Sequence, residues 1–477
     1  MNKHIQNSQF EKLYTADQTR RLDNRTIKEF GIDGFTLMEL AASGAAYKIS
    51  EIHGKESAGL YLCGKGNNAG DALAVARYLT NHSCHKIYLN LLFGDDSLSD
   101  DTRKNLQLLM KCKEGGADII LLNSDEKTVP KEIDYIVDGL FGTGLKGDLK
   151  PPVSEWVTKA NSSKIPVYSM DLPTGLNPDS GKTHGTAIRA TTTFTFGTNK
   201  IGFYLNQADQ YTGRVEQVPL PFPNHLFEEE TARLINGQFP HTPPLIQRSA
   251  WKQGAGAVFL YSPQSLLPVY DLNLATIIKI PLGVDADHYF KESHADKILK
   301  NMKEKPGTLL IGPGIGKHEE TGKLVRRLLN EHEGYSVIDA DGLSFFDDFS
   351  TLKKANRERW ILTPHIGEAK SYLGGDFSKD SERLNWAKTF TDKVGSTLLL
   401  KGDPLFVSRP GSPPYITGYK TDMFNRAGFG DVLAGSIATR LSISNDLETA
   451  VISALLHGYH TFKNLATKQP FSPEDLL

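Results

Sequence analysis

Residues 60–71 of this 477-residue chain read LYLCGKGNNAGD. The apolar run breaks into glycines, two asparagines and an aspartate, after which Leu73, Val75, Ala76 and Leu79 recur at helical spacing. This pattern predicts a strand, a loop and a helix. Glycines allow a ligand to approach the backbone closely, and the free amides at a helix start favour a phosphate or another anion. The loop is therefore predicted to be a binding edge, with a plain strand-to-helix turn as the alternative.

The rest of the first half repeats this rhythm of strand and helix. Strands are predicted at 87–93, 118–122, 135–137 and 167–170, and helices at 100–113 and 152–160. Such alternation is typical of a parallel sheet covered by helices on both faces. Two further helices, at 15–30 and 35–52, precede the first strand. They form an N-terminal arm that packs either on its own sheet or on a second subunit.

Polar clusters follow three of these strands. They are Asn67-Asn68 with Asp71, Asp138 with Gly142-Thr143-Gly144, and Asp171 with Pro173-Thr174-Gly175. Ligands of parallel sheets bind beyond the carboxyl ends of the strands, so these clusters are predicted to meet at one site. Capping of a helix is the alternative for Asp138 and Asp171. Neither the dinucleotide fingerprint GxGxxG nor the phosphate loop GxxxxGK[ST] fits the sequence.

Composition places the chain among ordinary globular proteins. Apolar residues make up 39% and charged residues 23%, and the formal net charge is -2. These values favour small-molecule partners over nucleic acid or an anionic membrane. A chain of this length predicts two domains. Prolines between 219 and 244 indicate a linker, so we place the domains at 1–230 and 231–477.

The cysteines and the N-terminus indicate a cytoplasmic protein. Cys63, Cys84 and Cys112 show neither metal-type spacing nor a disulfide framework, which suits a reducing compartment. Cys63 is expected to be a small buried hydrophobic residue rather than a reactive thiol. The first ten residues are polar, and no run of 18 or more apolar residues occurs. We therefore expect no export signal and no membrane span.

The second half is again an alternation of strands and helices. Strands are predicted at 257–261, 277–280, 308–311, 335–338, 360–362 and 397–400. Polar clusters follow the last four of them, and they are Gly312–Gly316, Asp339–Asp341, Thr363–His365 and Lys401–Asp403. A further cluster, residues 427–431, opens a helix at Asp431. Amides at such a helix start predict an anion site.

These motifs resemble a known pair of enzymes. The first half is similar to NAD(P)HX epimerases at residues 63–71, 137–145 and 170–176. The second half is similar to ribokinase-like NAD(P)HX dehydratases at 312–316, 339–341, 362–368, 401–402 and 428–431. The resemblance implies an α/β protein with a Rossmann-like three-layer α/β/α sheet followed by a ribokinase-like α/β/α sheet. The family's glycine- and serine-rich first turn of the dehydratase is missing near 248–256, so that domain is expected to be shortened at its start.

The resemblance also implies an activity, the repair of hydrated NADH and NADPH. An epimerase interconverts the R and S forms, and a dehydratase uses ADP or ATP with Mg²⁺ to remove water from the S form. Such proteins are expected to be homo-oligomers. The residues leave two alternatives open for the second half, which are a different small-molecule kinase and a module that only binds nucleotide or supports assembly.

Site residues follow from the resemblance position by position. Asp171 and Asp431 would be the catalytic residues, and K⁺ would bind Asn68, Asp138 and Thr174. The hydrated cofactor would contact Asn67, Asn68, Ala69, Gly70, Asp71, Gly142, Thr143, Gly144, Leu145, Lys146, Gly147, Asp148, Asp171, Gly314, His365 and Asp431. The adenine nucleotide would contact Lys401, Gly402, Asp403, Pro404, Leu405 and Gly430. The chemistry supports Asp171 as a catalytic residue, because opening a hydrated ring needs a group that shuttles a proton. It also supports the K⁺ ligands, because hard cations prefer oxygen ligands. A structural role is the alternative for His365.

Overall fold

The computed structural model describes residues 10–83, 85–95, 97–122, 128–145, 147–235, 255–267, 277–284, 287–346, 348–419 and 429–465. These residues form two compact units that divide between Ala232 and Arg233, and Phe10 and Glu11 group with the C-terminal unit. Each unit is an α/β structure, so the predicted fold class is confirmed. The start of the C-terminal domain is expected to be shortened near 248–256, and residues 248–254 of that segment lie outside the described residues.

The N-terminal unit is built on a seven-stranded parallel sheet in the order β4-β3-β2-β5-β6-β7-β9. Its strands, with β1 and β8 paired separately, are β1 (Glu11–Tyr14), β2 (Ala58–Cys63), β3 (Lys86–Leu91), β4 (Ile119–Leu121), β5 (Tyr135–Gly139), β6 (Val167–Met170), β7 (Thr192–Phe196), β8 (Asn199–Lys200) and β9 (Arg214–Val218). The helices are α1 (Ala16–Arg25), α2 (Gly34–His53), α3 (Asn67–Ser83), α4 (Asp100–Glu114), α5 (Val153–Ser162) and α6 (Asp209–Thr212).

Helices cover both faces of this sheet. The alanine-rich face of α2 packs on α3, and Ala42, Ala45 and Ile49 are fully buried there. Small side chains let two helix backbones approach closely. On the other face, α5 buries Trp156 and Val157. The N-terminal arm therefore packs on its own sheet, which the sequence left undecided.

The start of the arm agrees only in part with the prediction. The sequence of residues 15–18 predicts a capping box, which Thr15 and Gln18 form at the start of α1, and Leu22 is buried. A π-turn at Thr26–Phe30 follows α1, and its wider turn changes the register of the side chains. The sequence spaces Leu22, Ile27 and Phe30 as one apolar stripe of a helix, and this prediction is wrong beyond Leu22, because Ile27 is 38% exposed and Phe30 is 54% exposed.

Helix α3 begins earlier than the hydrophobic pattern indicated. The Gly66 carbonyl accepts hydrogen bonds from the amides of Ala69 at 2.9 Å and Gly70 at 3.4 Å, so the loop is confined to residues 64–66. Both asparagines consequently lie in the first turn of the helix, where backbone amides have no partner within the helix. Gly64 is required in the loop, since a Cβ there would overlap the Leu140 carbonyl.

The C-terminal unit contains a seven-stranded sheet in the order β13-β14-β15-β16-β17-β18-β10, in which β17 is antiparallel to both neighbours. Its strands, with β11 and β12 in a separate pair, are β10 (Ala232–Ile235), β11 (Phe259–Pro263), β12 (Ile278–Leu282), β13 (Leu309–Ile311), β14 (Ser336–Ile338), β15 (Trp360–Leu362), β16 (Thr397–Leu400), β17 (Phe406–Ser408) and β18 (Tyr415–Thr417). The helices are α7 (His294–Glu304), α8 (Glu319–Glu331), α9 (Lys354–Arg357), α10 (Ile366–Tyr372), α11 (Asp380–Val394), α12 (Phe429–Ser444) and α13 (Leu447–Leu465).

The structure tests the expectations for Cys63 and for membrane-spanning helices. Cys63 is fully buried, and desolvation raises the pKa of its thiol, so it behaves as the expected small hydrophobic residue. Cys84 lies outside the described residues. Among the helices in the described ranges, none combines the length and the apolar character needed to cross a bilayer.

We predict that Gly64→Ala destabilises the N-terminal unit while Gly66→Ala changes it little. A methyl group at position 64 would have to displace the Leu140 backbone, and overpacking of this kind costs about 1–3 kcal/mol. A Cβ at position 66 would project into open space, with no neighbouring group within 4 Å, and replacing glycine by alanine at a helix start costs less than about 1 kcal/mol. Thermal unfolding of the two variants measures the difference, and equal midpoints would contradict the prediction.

Candidate functional site

One cavity of about 640 Å³ lies at the carboxyl ends of the N-terminal strands. The predicted site residues that line it are Asn67, Asn68, Asp71, Gly142, Thr143, Gly144, Leu145 and Asp171. Helices α1 and α2 line it as well, through residues between 16 and 41. Three separate strand ends thus contribute to a single chamber, as the topology of a parallel sheet requires.

Several predicted contact residues lie elsewhere. Ala69 is fully buried, and a Cβ on Gly70 would lie 2.7 Å from the Met38 sulfur, so both positions serve the packing of α3. Gly147 and Asp148 are exposed beyond the residues that line the cavity, and Lys146 lies outside the described residues. Direct contact of these residues with a ligand stays a prediction.

Asp171 is held in an unusual conformation at the end of β6. Its backbone φ is +60°, in the left-handed region that residues other than glycine rarely adopt. The Lys200 ammonium donates to its Oδ1 at 2.5 Å, and the Phe196 amide donates to the same oxygen at 3.2 Å. Strain of this kind persists only where surrounding contacts enforce it, and it is frequent at functional sites.

Lys200 was missed by the sequence interpretation. Its side chain is fully buried, and besides Asp171 it donates to the Thr195 hydroxyl at 2.8 Å and the Thr198 carbonyl at 3.5 Å. A buried lysine needs a counter-charge and further acceptors, because desolvation of an unpaired ammonium is costly. Its position directly before the apolar residues Ile201 and Phe203 was the signal that could have identified it.

Three more carboxyl groups, those of Asp23, Asp71 and Asp101, line the cavity with Asp171. Burial and the nearby charge of Asp171 raise the pKa of Asp23 to about 6, against the opposing influence of Lys200. Burial also raises the pKa of Asp71 well above its usual range, with smaller contributions from Asp171 and Asp23. Carboxyl groups in such surroundings can exchange protons near neutral pH. Asp23, which lies on α1, was not identified from the sequence.

Asp138 joins two strand ends below the cavity. Its fully buried carboxylate accepts from Ser169 Oγ at 2.8 Å, Thr174 N at 2.9 Å, Thr174 Oγ1 at 2.7 Å and Leu140 N at 3.3 Å. Burial raises the pKa of Asp138 although these hydrogen bonds oppose the rise. The donors are neutral, so they leave the negative charge uncompensated.

The surroundings of Asp138 fit a monovalent cation. Asn68 Oδ1 and Nδ2 are buried without a hydrogen-bond partner among the described residues, although buried amides are normally satisfied. A Cβ on Gly142 would lie 3.4 Å from Asn68 Oδ1, so this oxygen faces the loop that follows Asp138. Carboxylate, amide and hydroxyl oxygens suit a hard cation, and the residues predicted to bind K⁺ therefore fit it chemically.

The C-terminal unit brings together three of its strand-end and helix-start residues. Lys401 donates to Asp339 Oδ1 at 2.8 Å, and both side chains are buried. Asp431 lies in the first turn of α12, where burial and the charge of Asp339 raise the pKa of its carboxyl while Lys401 opposes the rise. A Cβ on Gly430 would lie 3.2 Å from the Lys401 ammonium. This geometry places an ammonium, a carboxyl and helix-start amides beside each other.

A buried arginine supports the turn at residues 401–405. Arg383 donates to Asp380 at 2.8 Å and to the Pro404 carbonyl at 2.5 Å, and a Cβ on Gly402 would lie 2.7 Å from its guanidinium. Burial lowers the pKa of Arg383, and the charges of Asp380 and then Asp403 oppose this. The Asp403 carboxylate in the predicted nucleotide site therefore has a guanidinium nearby that offsets its charge.

Of the remaining predicted residues, His365 and Gly314 are exposed and Leu405 is buried. His365 caps α10, because its Nδ1 accepts from the Glu368 amide at 3.2 Å, so it has the structural role that was considered as an alternative. Its side chain is 54% exposed, which leaves the ring accessible to a ligand. Gly314 is exposed with a φ of +67°, and Leu405 is buried behind the turn. Ligand contacts by these residues stay predictions.

We predict that Asp339→Asn and Lys401→Met each destabilise the C-terminal unit by about 3–5 kcal/mol, because each leaves an unpaired buried charge. The double variant should lose less than the sum of the two. Denaturant-induced unfolding measures the three values. Lys323→Met, which breaks an exposed pair with Glu319 and Glu320, is the control and should leave the midpoint unchanged. Additive losses in the double variant would contradict the prediction.

Two family models match separate parts of this chain. Residues 34–202 match the family described as YjeF-related protein N-terminus, and residues 245–475 match the NAD(P)H-hydrate dehydratase family. A structure of the ADP/ATP-dependent NAD(P)H-hydrate dehydratase from Bacillus subtilis, co-crystallized with ATP/Mg²⁺ and soaked with CoA, is 19% identical. It covers 48% of this chain and 80% of that chain at a TM-score of 0.38.

Relatives match nearly the whole chain. The bifunctional NAD(P)H-hydrate repair enzyme Nnr of Salinibacter ruber is 31% identical in an alignment of 471 positions that covers 89% of this chain and 86% of that protein. The enzyme of the same name from Dictyoglomus turgidum is 31% identical in an alignment of 488 positions that covers 94% of this chain and 93% of that protein. The chain therefore belongs to the family of bifunctional NAD(P)H-hydrate repair enzymes.

Proposed function

We propose that this chain repairs hydrated NADH and NADPH. The N-terminal unit epimerises the R and S forms, and the C-terminal unit removes water from the S form at the expense of ADP or ATP. The observation that carries this proposal is the convergence of Asn67, Asn68, Asp71, Gly142–Leu145 and Asp171 on one cavity. Relatives that span the chain are named for the same repair.

The N-terminal cavity suits both ends of such a substrate. The amides at the start of α3 provide donors for the phosphates of the dinucleotide. Asp171, fixed by Lys200, can accept the proton of the ring hydroxyl when the ring opens and return it when the ring closes. Closure on the opposite face of the carbonyl then inverts the configuration of the hydrated carbon.

Potassium belongs to the same proposal. Asn68, Asp138 and Thr174 would hold the ion, which would supply a positive charge to offset the buried Asp138 carboxylate. The loops that these residues begin or end also line the cavity. Asn68, Asp138 and Thr174 would themselves hold the Gly142–Leu145 loop in position beside the substrate.

In the C-terminal unit, the nucleotide would lie at the 401–405 turn and at Gly430, with Mg²⁺ bound to its phosphates. Asp431 would take the proton of the ring hydroxyl as the hydroxyl oxygen attacks the terminal phosphorus. The transfer releases AMP or ADP, the phosphate then leaves with the electrons of the carbon–oxygen bond, and loss of a proton from the adjacent ring carbon restores the double bond. Gly314 and His365 would contact the hydrated cofactor. Lys401 and the amides near Gly430 are placed to stabilise the charge on the phosphate.

The remaining expectations concern the state of the protein. Exposed apolar side chains on α2, which are Leu40, Tyr47 and Ile52, support a homo-oligomer. The free thiols of Cys63 and Cys112 suit a reducing compartment such as the cytoplasm.

We predict that two substitutions separate the activities. Asp171→Asn should lower the rate of R-to-S conversion of hydrated NADPH by roughly 100-fold or more, because the proton acceptor is lost, and leave dehydration of the S form intact. Asp431→Ala should have the reverse effect. The assay mixes both forms with ADP or ATP and follows the recovery of NADPH absorbance. Asp171→Asn then recovers the S fraction quickly and the R fraction only at the spontaneous rate.

The intact chain provides the reference for both variants. Failure of the unsubstituted protein to speed R-to-S conversion would rule out the epimerase. Nucleotide binding without recovery of absorbance would indicate that the C-terminal unit is only a binding module. Consumption of ATP with an alcohol substrate, but not with hydrated NADPH, would instead indicate a different kinase.

A further inference from the structure

The geometry points to Asp23 as a second catalytic residue of the N-terminal cavity, the general acid that works opposite Asp171. This inference rests on the proposed epimerisation. Helix α1 lines the cavity through Ala16, Thr19, Arg20, Asp23 and Asn24, whose spacing of three and four residues defines one helical face. Asp23 therefore faces the same chamber as Asp171, from a different element of the chain.

Helix α1 is fixed to the segments that hold Asp171. The Thr19 and Thr198 hydroxyl groups share a buried hydrogen bond of 2.6 Å, and the Ala16 amide donates to Asp179 at 2.7 Å. Thr198 in turn accepts from Lys200, the partner of Asp171. Asp23, one turn beyond Thr19, is thus held in a constant position relative to the Asp171–Lys200 pair. Positioning of this kind is what a proton-transfer group requires.

Charges around Asp23 give it the properties of an acid. The groups that face it are Asp71 from α3, Asp101 from α4, Asp171 after β6 and Lys200 from β8, with Arg20 on its own helix. Burial and the Asp171 charge raise the pKa of Asp23 to about 6, which keeps a useful fraction protonated near neutral pH.

Asp71 is a weaker candidate for the same role. Its side chain is more deeply buried than that of Asp23, so it is less accessible to a substrate, and this burial raises the pKa of its carboxyl. A shuttle must both give up and regain a proton in each turnover, which favours a group that titrates close to the working pH.

The proton transfers balance with two carboxyl groups. Asp171 takes the proton of the ring hydroxyl, and the oxygen–hydrogen electrons form the carbonyl double bond. The bond between this carbon and the ring nitrogen breaks, its electrons pass to the nitrogen, and Asp23 protonates that nitrogen. Rotation about the adjacent carbon–carbon bond presents the other carbonyl face. The reverse steps then return both protons to their original carboxyl groups.

The test compares Asp23→Asn, Asp23→Glu and the matched control Asp17→Asn, which lies on the solvent side of the same helix. The kcat for R-to-S conversion of hydrated NADPH is measured from pH 5 to pH 9 after subtraction of the spontaneous rate. In the unsubstituted protein, kcat should fall as the pH rises through the pKa of Asp23, because only the protonated form donates. Asp23→Asn should lower kcat roughly 100-fold and remove this decline.

The controls separate catalysis from folding. Asp23→Glu should retain the decline with a smaller loss of kcat, and Asp17→Asn should match the unsubstituted protein. A normal rate and a normal pH profile for Asp23→Asn would overturn the inference. The inference would also be overturned if Asp23→Glu showed no decline of kcat with pH while its dehydratase activity and unfolding midpoint were intact. Absence of epimerase activity in the unsubstituted protein would instead contradict the proposed function itself.

Discussion

The carboxylate of Asp138 is the interaction on which the N-terminal site depends. It receives hydrogen bonds from Ser169 on β6, from both donors of Thr174 and from the Leu140 amide, so one buried group joins the ends of two neighbouring strands. The Thr174 hydroxyl also accepts from the Phe141 amide at 3.0 Å, which extends the network to the loop that lines the cavity. Loss of the carboxylate would leave several buried donors unsatisfied, each at a cost of about 1–3 kcal/mol.

Motifs confined to one stretch of chain could be predicted from the sequence. The strands, the parallel α/β architecture and the approach of Asn67, Asp71 and Asp171 to a common site followed from apolar periodicity and from polar residues at strand ends. A parallel sheet brings those ends together whatever the intervening sequence, so no long-range contact had to be inferred. The start of α3 was harder to predict, since the asparagines and glycines there are as typical of a loop as of a first helical turn.

Pairings between distant residues could not be predicted in this way. Lys200 and Asp23 act on Asp171 from segments far apart in sequence, and no local pattern reports such contacts. The same limit applies to Asp403, whose carboxylate would repel a polyphosphate if no cation lay near it. The nearby Arg383 guanidinium, 20 residues earlier in the chain, removes much of that difficulty.

The two units reach a similar electrostatic arrangement on different sheets. Each holds a buried lysine against an aspartate, Lys200 with Asp171 and Lys401 with Asp339. In each, burial and the paired aspartate raise the pKa of a further carboxyl group while the lysine opposes the rise. The lysine limits how far that pKa can rise, so the carboxyl group stays able to exchange its proton. Under the proposed function both units act on the same ring hydroxyl, and the shared arrangement meets the same need for reversible proton transfer.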